Sequence, residues 1–457
     1  MTDILVAKDK WDDIRLPTWV SPSHYALDME TNLKDFTFEG KVHITIDVKK
    51  KTKFIVIHQA LKSIEFIDLV SADGSLVKYS HIVHKPEYEY SIIYFKKKIS
   101  KGQYLLSLGF TGELATNMAG YYLSTYKINS VEHFLATTQF EPTKARYAFP
   151  SFDEPDKKAV FDITMTTSTQ YHAISNMPVK DIIHAGEYQT FVFESTVKMS
   201  TYLVAFIVSE FESISSQTNN GVKISVYTAP GQTKLGEYAL KVGVPILEYY
   251  QKVYGIDFPL PKLDMVAVPD FSAGAMENWG LVTYRDTALL YDPKTSTPAN
   301  KQRVATVIAH ELAHQWFGNL VTMKWWNDLW LNEGFAEFME YKAVQAAEPT
   351  WNMTDQFIPL DLVRALRADE SLFTHSIALP VKDPAEISNI FDDISYGKGS
   401  SILRMLEAWM DEKYGKEVFF GKLHNYLLEH AYSNAETEQL WEALRTDQDI
   451  GSFMSTW

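Results

Sequence analysis

At 457 residues the chain is longer than one ordinary domain, and two or three are expected. Its 46% hydrophobic and 22% charged residues suit a soluble globular protein able to bury a sizeable core. A net charge of -15 argues against a general nucleic-acid binder, and the lack of any cysteine excludes disulfides and thiolate ligands, so a metal would have to sit on His, Asp or Glu.

The opening stretch, Met1 to Asp13, has charges but no apolar h-region, so it does not read as a signal peptide. No run approaches the roughly 18 apolar residues of a membrane span. A cytoplasmic protein is expected, and the sequon Asn352-Met353-Thr354 then reads as chance. Residues 1–212 predict a β-rich domain. Val42, Ile44, Ile46 and Val48 alternate with polar residues, the pattern of a half-buried strand. Further strands are expected at Phe54 to Ile57, Tyr104 to Phe110, Phe161 to Met165 and Tyr202 to Val208, with turns at Asp73-Gly74 and Gly186. The polar run Ser213 to Gly221 reads as a flexible boundary. After one more strand, Val222 to Tyr227, residues 213–457 turn mainly helical. Thr297 as cap, Pro298 in the first turn and a Gly318-Asn319 stop predict a helix from Thr297 to Phe317. Others are expected from about Glu333 to Ala347, from Lys398 to Trp409 and in the last stretch of chain.

The first of these helices contains His310-Glu311-Leu312-Ala313-His314. Residues four apart stand on one helical face, so the two imidazoles can grip one zinc ion while Glu311 reaches a water beside it. The bare pentapeptide also fits two histidines packed on a core. Glu333, at the start of the next helix, offers a third ligand. Two His and one Glu leave a fourth position open, the arrangement of a catalytic rather than a structural zinc. Glu311 would be the general base. Asn332, Glu337 and Asp328 either hold the ligand imidazoles or are a helix start and solvated charges.

His310-Glu311-x-x-His314, eighteen residues and then Glu333 resembles the gluzincin aminopeptidases, of the aminopeptidase N, puromycin-sensitive and fungal alanine/arginine type. Supporting motifs are Gly274-Ala275-Met276-Glu277-Asn278, Thr138-Gln139-Phe140-Glu141-Pro142, Ala148 to Pro155 and Ile394-Ser395-Tyr396-Gly397-Lys398-Gly399. The opening Arg15-Leu16-Pro17 and Pro22-Ser23-His24-Tyr25 is also similar to the family's start. The resemblance implies an N-terminal antiparallel β domain, then a thermolysin-like, mainly helical zinc peptidase domain. It implies one zinc per chain, peptide substrates with a free N-terminus, and hydrolysis of the first peptide bond. Glu141 and Glu277 match the anchors of the substrate α-amine, and Tyr396 the donor to the oxyanion. Gly274 and Ala275 would lie along the peptide. Gln139, Met276 and Phe391 match positions that line the pocket for the first side chain, although Met276 and Phe391 fit a core role equally.

Ser151 replaces a frequent family cysteine, away from the site. Family members continue past this chain's end at Ser455-Thr456-Trp457 with a small β domain and a large helical domain. A shortened form or a fragment is therefore expected, with an apolar face where the helical domain would pack. An impaired, truncated form acting as a binding protein is the alternative of a different class. A thermolysin-like endopeptidase shares the zinc geometry, but the Glu141/Glu277 pair speaks against it. A related branch that also opens a lipid epoxide has Tyr where Phe391 stands, five residues before Tyr396. Oligomeric state and the preferred first residue are not legible in the sequence.

Overall fold

The computed structural model describes residues 11–454 and 456–457. Most of the opening stretch read as leaderless, and Ser455 in the expected chain end, lie outside the described residues.

Alternation builds the first domain. Val42, Ile44, Ile46 and Val48 are all buried, on one face of the strand Thr37–Val48. That strand sits inside a seven-stranded sheet between Val20–Asn32 and Gly102–Glu113, antiparallel to both. Its buried face is apolar and its other face carries His43, Thr45 and Asp47, as period-2 patterning requires. A three-stranded sheet (Thr52–His58, Tyr90–Ile99, Tyr79–Lys85) and a four-stranded one complete the domain. The four-stranded sheet includes Val131–Gln139, which delivers Gln139 and then Glu141 toward the second domain.

Two expectations fail here. The segment Tyr202 to Val208 is a 3₁₀ turn, Thr201–Leu203, followed by a short strand, Phe206–Ser209. Its continuous burial reflects contact from all sides rather than strand pleating. The first part of the polar run read as flexible, Ser213 to Gln217, belongs to the edge strand Glu212–Gln217, paired with Lys223–Thr228, and the rest is the turn that joins them. Edge strands tolerate such polar, exposed side chains, and only Ile214 turns partly inward.

That pair opens a five-stranded mixed sheet, continued by Lys262–Val268, Leu281–Arg285 and the two-residue edge strand Ala275–Met276. Helices pack beside it. Pro298–Ala313 starts at a capping box between Thr297 and Asn300. It ends four residues before the expected Phe317, with His314 as its C-cap. Gly318, at φ 129°, belongs to the turn that ends it, since its amide bonds Val321 rather than the preceding turn. Trp330–Ala347 is buried around most of its circumference and lies centrally against Pro298–Ala313 and Gly399–Tyr414. Two π-helical turns, Ile358–Leu362 and Ile394–Lys398, sit next to it. The fold is thus a β-rich domain followed by a largely helical one. Among the described residues no helix is long and apolar enough to cross a membrane.

Candidate active site

The last turn of Pro298–Ala313 and the first turn of Trp330–Ala347 converge. His310 Nε2 lies 3.2 Å from Glu333 Oε2, and His314 Nε2 lies 3.3 Å from the same oxygen. His310, His314 and Glu333 can offer their donor atoms to one ion. Two bonds of about 2.0–2.1 Å at a tetrahedral angle span about 3.3 Å, so these separations suit zinc. The far nitrogens fix the rings. His310 Nδ1 donates to Glu340 Oε2 at 2.9 Å and His314 Nδ1 donates to the carbonyl of Phe317 at 2.9 Å. Both Nε2 atoms are left for a ligand role.

Asn332, Glu337 and Asp328 do not hold the imidazoles. Asn332 donates to the Tyr202 hydroxyl, Asp328 accepts from Thr437 and Asn327, and Glu337 faces Arg364. Glu340 was missed, yet it carried a signal. It lies seven residues after Glu333, two turns along the same face of one helix.

A cleft of about 610 Å³ opens over these residues. Gln139, Glu141, Ala275, Glu277, Glu311, Phe391 and Tyr396 line it together with the three possible ligands. Met276 and Asn278 are buried off its wall, and Asn278 donates to Thr283 Oγ1. Gly274 is also off the wall, although its carbonyl pairs with Arg285 N and continues the edge strand. Further wall residues not singled out from sequence include Met118, Lys144, Ser272 and Ser388, which no motif marks. The Tyr396 ring stacks on His310, with centroids 5.9 Å apart and planes 9° from parallel. The Glu277 carbonyl accepts from Gln315 Nε2 at 3.2 Å and Asn319 Nδ2 at 2.8 Å, so the residue after the edge strand is tied to the turn that follows His314.

The electrostatics are lopsided: Glu141, Glu277, Glu311 and Glu333 face two imidazoles. Burial pushes Glu311 up to about 8, against the pull of His310 and His314. Burial, then Glu277, raises Glu141 well above the usual range. Burial opposes charge on His314, but Glu277 and Glu333 hold it up at about 9. For Glu333 burial is outweighed by the two imidazoles, which keep it ionised. One oxygen each of Glu141 and Glu277 is buried without a hydrogen-bond partner. Such orphaned acceptors call for a donor, which a cation or a bound water can supply. The site is thus a buried, carboxyl-rich cleft in which three side chains can offer donor atoms to one ion, with the Glu311 carboxyl and the Tyr396 phenol beside them, the layout of a candidate metal centre.

Comparison with known proteins agrees. Residues 238–457 match the Peptidase family M1 domain, and residues 21–203 match the Peptidase M1 N-terminal domain. The chain is 42% identical to a glutamyl aminopeptidase of Bos taurus over 456 residues, which covers 98% of this chain and 47% of that protein. It is 44% identical to aminopeptidase M1 of Arabidopsis thaliana over 448 residues, 97% of this chain and 50% of the relative. Endoplasmic reticulum aminopeptidase 1 of Homo sapiens is 42% identical over 439 residues, 95% and 46% of the two chains. The chain spans about half the length of the curated relatives it matches. It belongs to peptidase family M1.

Proposed function

We propose that the chain is a zinc aminopeptidase, hydrolysing the first peptide bond of peptides that carry a free amino end. The observation that carries this reading is the pair of buried, unpartnered carboxylate oxygens on Glu141 and Glu277 in the same cleft as the His310, His314 and Glu333 trio. A trio alone would fit an endopeptidase as well. Two carboxyl groups beside it, ionised when an ammonium lies between them, suit a terminal ammonium and place the first bond, rather than a later one, at the ligand trio. Relatives named as aminopeptidases support the same activity.

One zinc per chain would be held by His310, His314 and Glu333. When bound, zinc supplies the Lewis acidity that polarises a carbonyl and acidifies water. The chain's own residues do the rest. Glu141 and Glu277 bind the ammonium, and the outer edge of Ala275–Met276 accepts the peptide backbone as an added strand. Glu311 takes the proton of the attacking water and passes it to the leaving amine. The Tyr396 hydroxyl donates to the carbonyl oxygen as it gains negative charge. Gln139 and Phe391 line the space for the first side chain, and the buried Met276 supports that wall from behind.

Glu311→Gln is the direct test. It removes the base but no ligand, so the variant should retain one zinc by elemental analysis and lose turnover of aminoacyl reporter amides. Turnover at the wild-type rate would refute the mechanism. Acetylating the substrate's α-amine should abolish hydrolysis by the wild-type protein, whereas an endopeptidase would tolerate it.

A further inference from the structure

The segment that bears Tyr396 is gripped from outside the cleft. Tyr396 lies in the π-helical turn Ile394–Lys398, and Asp393 immediately precedes it. Arg364 Nε meets Asp393 Oδ1 at 2.7 Å. The other arm of the same guanidinium, Nη2, lies 3.2 Å from Asp361 Oδ1 and 3.6 Å from Glu337 Oε1. Glu337 stands one turn after Glu333 on the same helix. One side chain therefore spans the Tyr396 segment, the π-helical turn Ile358–Leu362 that holds Asp361, and the helix that supplies Glu333.

Most exposed ion pairs contribute little, because water screens them and two long side chains must be ordered. This one differs. Arg364 is itself half exposed, but Glu337 and Asp361 are buried, and each keeps an oxygen without a hydrogen-bond partner. The planar fork of arginine can serve several carboxylates at fixed angles, which a lysine cannot. Packing reinforces the geometry. A Cβ on Gly397 would lie 3.2 Å from the Ala365 side chain, and one on Gly399 would lie 3.3 Å from the Cα of Gly334. The neighbouring pairs Asp392 with His375 and Lys398 with Asp369, both at 2.9 Å, hold the ends of the same segment. π-helical turns within helices are often found at functional sites, and here one carries the phenol while the other receives the clasp.

We propose that Arg364 is a positioning residue for the reaction: by joining Asp393 to Asp361 and Glu337 it fixes the Tyr396 ring against His310 and so aims the phenol hydroxyl. This rests on the reading that Tyr396 donates to the developing oxyanion. Arg364 touches neither substrate nor metal and acts only through the segment it holds.

The test is a double-mutant cycle on the full chain, using aminoacyl reporter amides, with zinc content and amide hydrogen exchange measured alongside. Asp393→Asn and Arg364→Gln should each lower kcat about tenfold with little change in KM or zinc content. Exchange across residues 392–399 should quicken. In a Tyr396→Phe background, Asp393→Asn should cause no further fall in kcat. Asp393 is 39% exposed, so its variant keeps the test open if Arg364→Gln fails to fold. Unchanged kcat in the clasp variants, or an equal fall with and without the Tyr396 hydroxyl, would overturn the proposal. If Tyr396→Phe alone keeps full kcat, the role given to Tyr396 fails and the clasp falls with it. A slow Tyr396→Phe with unaffected clasp variants overturns the clasp alone.

Discussion

Both imidazoles of the candidate ligand trio are held by something that a pattern search would not select. Glu340 takes the far nitrogen of His310, and a backbone carbonyl takes that of His314. Only the first can be removed by substitution. Glu340→Gln keeps the shape but withdraws the charge that makes His310 a stronger donor. Metal affinity should fall about 10- to 100-fold, as loss of such a partner typically causes, and competition with a chromogenic chelator would measure it. In the proposed reading Glu277 has a different task, to anchor the substrate ammonium. An ammonium about 4 Å from a carboxylate gains on the order of 4 kcal/mol at an effective dielectric near 20, before desolvation. Glu277→Ala should therefore weaken free-amino substrates, seen as a raised KM in steady-state kinetics. Unchanged kinetics on such substrates would remove Glu277 from the site. The charged pieces of the centre were legible because their chemistry demands fixed residue types at fixed spacing. Its supports were not, since a carbonyl leaves no mark in a sequence and one acid on a helix looks like another.

At the level of elements, period-2 strands such as Thr37–Val48 were legible because one face alone is buried. The edge strand Glu212–Gln217 was not, since its pairing partner rather than its own composition makes it a strand. The helix bearing His310 was placed by its cap and its stop, but its final turn was overdrawn. There the turn that follows is shaped by the His314–Phe317 bond and by Gly318, which is tertiary geometry. The 3₁₀ turn Trp326–Asp328, which leads into the Glu333 helix, makes a separate prediction. Burial pushes Asp328 up to about 6, against the hydrogen bond from Thr437. A raised acid favours the protonated folded form, so its contribution to stability is whole below the ordinary value of 3.8 and is lost as pH rises through 6. Asp328→Asn keeps an acceptor for Thr437, gives up the bond from Asn327 and cannot ionise. It should be more stable than the wild type at pH 7.5, by about 3 kcal/mol at most, and the advantage should vanish near pH 4. Thermal melts at the two pH values would show it.

Across the whole molecule, the β-rich domain supplies Gln139 and Glu141 to the cleft, while the helical domain supplies His310, His314 and Glu333, so the cleft depends on how the two meet. Lys158 marks that junction. It belongs to the first domain, is buried, and donates to the carbonyls of Asn319 and Leu320 in the turn after His314. Two carbonyls cannot neutralise an ammonium. Burial, and then the nearby Lys198, lowers its pKa well below 10.5. A depressed lysine contributes stability that is whole above 10.5 and is lost as pH falls toward its folded value. Lys158→Met keeps the packing of the stem but leaves the Asn319 carbonyl unpaired, at a cost of about 1 kcal/mol, while the Leu320 carbonyl keeps the Tyr432 amide. The variant should therefore be the weaker protein at pH 10.5. Its deficit should shrink as pH falls, by up to about 1.4 kcal/mol per pH unit, because the unfolded wild type then takes up a proton that the buried amine refuses. Urea denaturation at pH 10.5, 9.5 and 8.5 would trace the difference. A deficit that stays constant over that range would mean that Lys158 ionises freely at the junction and that burial there is relieved by water.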